Sequence, residues 1–181
     1  MTENAQRGPI LIAIAREAIE RGDAGAGPAD ANVPWLGEWG ASFVTLRIGG
    51  ELRGCIGSVE ARRSLIEDVA HNACAAAYRD PRFPPVSDDE LARLQIEVSV
   101  LSAREPMTVD SETQALAMLR PGVDGVYLEY QDRASTFLPQ VWESLPHPLE
   151  FLGELRRKAG LPARFWHPDV RLSRYTVEKF G

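Results

Sequence analysis

Arg53-Gly54-Cys55-Ile56-Gly57 is the stretch of this 181-residue chain whose residue types and spacing could do chemistry. On a strand, Arg53 and Cys55 point to one face, because side chains alternate with period two. Their Cα atoms then stand about 6.5–7 Å apart. A guanidinium within reach of a sulfur favours the thiolate, which is the nucleophilic form of cysteine. Gly54 and Gly57 carry no side chain, so backbone or ligand can approach closely there, or a bulge can re-aim the sulfur.

The hairpin around these residues tests that reading. Gly49-Gly50 is a two-residue turn signal between β-forming runs, Ala41 to Ile48 and Leu52 to Val59. A regular ladder from that turn pairs Ile48 with Glu51, Leu46 with Arg53 and Val44 with Cys55. Cys55 then shares a face with Val44, Leu46 and Ile48 and belongs to the core, where a cysteine is a small, inert hydrophobe. Arg53 on the same face argues the other way, since an arginine is rarely buried without a partner. A structural and a reactive Cys55 both stand at this level.

Other candidate groups have simpler readings. His71 and Cys74, three apart on a helix, could join Cys55 around a metal. A closed zinc site wants four ligands, and the paired Cys-x-x-Cys is missing, so no metal is assigned. Arg79, Asp80, Arg82 and Phe83 cluster in a proline-stiffened loop, either as a surface ion pair with Phe83 plugged into the core or as a binding loop. Arg156-Arg157-Lys158 reads as a solvated run matched to the dipole at a helix C-terminus. The four tryptophans are too dispersed for a stacking platform. There is no nucleophile elbow, dinucleotide fingerprint or phosphate loop.

The elements that must position these groups follow from periodicity and punctuation. Ile10, Leu11, Ile14, Ala18 and Ile19 make the apolar stripe of a helix that Gly22 ends. Ser64 to Tyr78 is a second helix. Ser87 with Glu90, and Ser111 with Gln114, are capping boxes opening two more. Pro148 suits the first turn of a helix whose stripe is Phe151, Leu152 and Leu155, with Gly160 as its left-handed terminus. Ile96, Val98 and Val100, alternating with Glu97 and Ser99, form a strand with one wet face. Val126 to Tyr130, Ser135 to Leu138 and Val170 to Phe180 read as further strands. Short loops between neighbouring strands, without sustained βαβ periodicity, define an α+β fold with a mostly antiparallel sheet flanked by helices. The expected organisation is one domain over 1–181, with a mobile loop over 22–34.

Composition narrows the function. The chain is 44% hydrophobic and 25% charged, which is ordinary for a globular domain. No apolar run approaches the roughly 18 residues of a membrane span. The polar N-terminus lacks the core of a secretory signal, and two cysteines without one point to reduced thiols in the cytoplasm. A net charge of −6 lacks the basic footprint of a non-specific nucleic-acid binder. Only Lys158 and Lys179 among the 20 basic residues are lysine, so an arginine fork for a small anionic molecule is easily built.

Leu52-Arg53-Gly54-Cys55-Ile56-Gly57 resembles the signature of the AMMECR family. The likeness continues through Asp80-Pro81-Arg82-Phe83-Pro84, Glu97 to Ser102, Gly122-Val123-Asp124-Gly125, Phe137-Leu138-Pro139-Gln140-Val141 and Arg157-Lys158-Ala159-Gly160, in family order from about Ile10 to Phe180. The resemblance implies a compact α+β domain in two lobes, with no known cofactor. It implies association with a Memo-like protein and a radical SAM enzyme, as in protein A of the AmmeMemoRadiSam system, and a suggested link to RNA modification. The residues it carries over are Arg53, Gly54, Cys55 and Gly57, then Arg82, Phe83 and Gln140. Eukaryotic relatives have Glu at the last position, so a mechanism needing a carboxylate there does not transfer. Three functions are thereby in view: a Cys55 nucleophile or acyl/alkyl acceptor supported by Arg53, a docking module anchored on Phe83, and an RNA-related role.

Overall fold

The computed structural model describes residues 3–25 and 33–181, with side chains from residue 6 onward. Two compact units partition the chain, 1–101 with 178–181 and 102–177.

In the first unit, helix α1 (Glu3–Arg21) begins before the expected Ile10 and carries Pro9 in its interior. It buries Leu11, Ile14, Ala15, Ala18 and Ile19. The loop expected over 22–34 falls largely on residues 26–32, outside the described residues. A 3-10 turn at Pro34–Leu36 leads into strand β1 (Trp39–Ile48), and Gly49-Gly50 turns the chain into β2 (Glu51–Gly57). Both glycines have positive φ, 60° and 87°, the backbone that a tight hairpin with native twist requires. A two-residue strand, β3 (Arg63–Ser64), pairs with the start of β1. Helix α2 (Leu65–Tyr78) opens on a capping box of Ser64 with Glu67, and the short α3 (Asp88–Leu91) on one of Ser87 with Glu90. Strand β4 (Gln95–Leu101) lies against β1, so β1 is flanked on both sides. Leu11, Ile14, Val44, Leu46, Val69, Ala73 and Val98 form the core.

The second unit holds β5 (Glu105–Met107), α4 (Glu112–Met118), β6 (Gly125–Tyr130), β7 (Arg133–Phe137), a 3-10 turn at Pro139–Glu143, α5 (Pro148–Lys158) and β8 (Arg171–Tyr175). Its sheet runs β5-β8-β6-β7. The core centres on Trp142 stacked flat on Phe151, ring centroids 3.7 Å apart, with Leu128, Leu152, Leu155 and Leu172 around them. The single last strand expected over Val170 to Phe180 is two: β8 pairs with β5 and β6, and β9 (Val177–Phe180) adds to the other sheet beside β4. The first sheet thus runs β2-β1-β4-β9, and every pairing with a defined register in either sheet is antiparallel. The fold is α+β.

Arg156 corrects the solvated-run reading of the α5 terminus. It is 1% exposed, donates to the Ala163 carbonyl at 2.7 Å and faces the Glu112 carboxylate at 2.7 Å. The reason is helical phase: position 156 lies one turn beyond Leu152 and beside Leu155, on the stripe that meets the core. Arg157 and Lys158 remain exposed at the helix end.

Candidate functional site around Cys55

The hairpin does not follow the regular register. Ile48 pairs with Glu51 and Arg47 with Leu52, but the next pair is Leu46 with Gly54, so Arg53 is the extra residue of a β-bulge. Thr45 then pairs with Cys55 and Phe43 with Gly57. A one-residue slip moves every later side chain to the other face. Cys55 therefore leaves the core face expected from Val44 and joins Thr45 on the opposite one.

Gly54 explains why the shifted register is the stable one. It takes the core-facing place, where a Cβ would lie 2.1 Å from the Ala76 carbonyl oxygen of α2. The helix backbone approaches the strand so closely that only glycine fits. At Gly57 a Cβ would meet the Phe43 ring at 2.2 Å, because that ring lies across the glycine on the Cys55 face.

The sulfur of Cys55 is 3.3 Å from the Thr45 hydroxyl. Cys55 is half-buried, whereas Thr45 is 9% exposed. The next residue in the row is Glu97, the partner of Thr45 on β4, and Ser99 is the partner of Phe43. Alternation places Cys55, Thr45, Glu97 and Ser99 on one side of the sheet: a thiol, two hydroxyls and a carboxylate. The wet face expected for Glu97 and Ser99 is largely closed, since Ser99 is 7% exposed and Glu97 half-buried.

The outer edge of β2 is closed by the loop after α2, not by another strand. Buried Asp80 accepts the Cys55 amide at 2.9 Å, and Arg82 donates to the Cys55 carbonyl at 3.1 Å. Arg82 also grips Asp80 through Nε at 2.9 Å and Nη2 at 2.7 Å. These bonds hold the Asp80 carboxyl well below the usual carboxylate range, despite burial acting the other way. Both backbone polar groups of Cys55 are thus fixed, and the edge offers no free ladder there.

Arg53 does not serve the sulfur. Its Nε and Nη2 bond the two oxygens of Glu90 at 2.8 Å each, and its Nη1 and Nη2 reach the Pro84 and Pro85 carbonyls. The fork is committed to the loop, so the expected Arg53 support of a thiolate is replaced by a scaffolding contact. Phe83 is half-buried between two guanidiniums, with Arg82 5.5 Å and Arg53 6.0 Å from its ring centroid. Gln140 lies exposed on the 3-10 turn of the second unit, and its side chain makes no hydrogen bond among the described residues.

Cys74 sits on the α2 side of the sheet, donates to the Ala18 carbonyl at 3.2 Å, and has its thiol pushed up by burial. It is separated from Cys55 by the sheet. No group of three or more His, Cys, Asp or Glu gathers at metal-binding distance among the described residues. Residue-level reading missed Thr45 and the second role of Glu90. Thr45 is masked by the assumption of a regular ladder, and Glu90 already had a purpose as a capping residue.

Comparison with known proteins gives a consistent result. The AMMECR1 family model matches residues 12–180. A protein of Methanothermobacter thermautotrophicus is 38% identical, covering 96% of this chain and 93% of its own. One of Aeropyrum pernix is 39% identical, covering 93% and 75%. The crystal structure of an uncharacterized protein from Pyrococcus horikoshii superposes with a TM-score of 0.77 at 35% identity, covering 95% of this chain and 89% of that one. With the match running through both sheets and across the bulged hairpin, the chain belongs to the AMMECR1 family.

Proposed function

We propose that this AMMECR1-family protein works through the Cys55 thiol, which takes up an acyl or alkyl group from a small electrophile or one delivered by a partner protein. In the step, the thiolate attacks the electrophilic carbon. A sulfur–carbon bond forms, the bond to the leaving group breaks with its electron pair, and the thiol proton passes to water. The observation that carries this reading is the bulge that turns the sulfur out of the core and sets it beside Thr45. A merely structural cysteine would serve as well on the regular register, packed with Val44. The backbone clamp by Asp80 and Arg82 adds rigidity, which a reacting atom needs.

The partners in this reading are a Memo-like protein and a radical SAM enzyme. The test is iodoacetamide labelling at pH 7, resolved by site. Cys55 in native protein should react at least about tenfold faster than in protein unfolded by urea. A native rate at or below the unfolded one removes the reading.

A second reading, a docking module, has one specific observation in its favour. Phe83 is braced by two guanidiniums while Arg82 remains half-exposed, an aromatic–arginine pairing typical of interface anchors. Phe83→Ala should abolish co-purification of the Memo-like partner while leaving unfolding cooperative; undiminished complex formation counts against it.

A further inference from the structure

We draw no further inference here: the strongest candidate, the polar cluster of Asp68, Asn72, Ser42 and Ser58 where α2 meets the open end of the β1–β2 hairpin, is closed on itself, since Asp68 accepts the Ser42 amide and both serine hydroxyls at 2.8 Å and the Asn72 amide at 3.0 Å, which leaves no polar side-chain atom of the cluster pointing to a ligand.

Discussion

Arg53 and Glu90, 37 residues apart, form two parallel N–H···O bonds of 2.8 Å, while one oxygen of the same carboxylate also accepts the amide and hydroxyl of Ser87. One carboxylate therefore caps α3 and fastens the whole 80–90 loop to the bulge of β2. The loop in turn supplies Asp80 and Arg82 to the backbone of Cys55. The position of the sulfur depends on this chain of contacts, although Arg53 does not touch it.

Arg53→Lys should lower unfolding free energy by about 2–3 kcal/mol, because an ammonium cannot reproduce the fork and leaves the Pro84 and Pro85 carbonyls unmet. Both side chains of the pair are mostly buried, so solvent screening is modest. Urea denaturation of Arg53→Lys, Glu90→Gln and the double variant measures this. A coupling above about 1 kcal/mol in the cycle is expected.

Acid should weaken the first unit in a defined window. Arg53's bonds, then the Ser87 amide, lower Glu90 from 4.5 to about 2, and Asp80 is held down chiefly by Arg82. Folded values below the unfolded ones mean that this stabilisation is complete above the unfolded value, about pH 4.5, and is lost as pH falls through the folded values. Thermal melts from pH 6 to pH 2 should show Tm falling below about pH 4.5, with a shallower fall in Glu90→Gln.

Gly54→Ala and Gly57→Ala should differ in kind. At Gly54 the added methyl meets backbone, the Ala76 carbonyl of α2, so helix and strand must separate, at a cost of about 3 kcal/mol or more. At Gly57 it meets the Phe43 side chain at Cγ and Cδ1, so the whole ring must swing about χ1, but no backbone has to part. That variant should fold with a smaller loss and altered Cys55 labelling. Differential scanning calorimetry and site-resolved labelling separate the two.

In the second unit, Arg156→Met should cost less than about 1 kcal/mol, while Arg156→Ala should cost about 3 kcal/mol. The buried guanidinium has an unpaired Nε, and its partner Glu112 is partly exposed and can return to water. Methionine fills the volume without the desolvated charge, whereas alanine leaves a cavity. Chemical denaturation of the two variants distinguishes packing from charge.

Local chemistry along the chain determined the apolar stripes of the helices, the Ser87 and Glu90 cap, the Gly49-Gly50 turn, the alternation of β4 and the antiparallel α+β class, and it marked Cys55 as the candidate, because each depends on residues a few positions apart; at Ser111 only half of the expected box forms, since the Gln114 side chain accepts the Asp110 amide. It also suggested that the glycines flanking Cys55 permit close approach or a bulge. Which face the sulfur takes was decided by α2 pressing on Gly54, a contact made across more than 20 residues. The partners of Arg53 and Cys55 were decided the same way, since Glu90 and Thr45 look like a cap residue and an ordinary strand residue until the bulge sets the register. Periodicity reports which side of an element is apolar. A one-residue bulge reverses that side without changing the pattern, so its presence is settled by packing between elements.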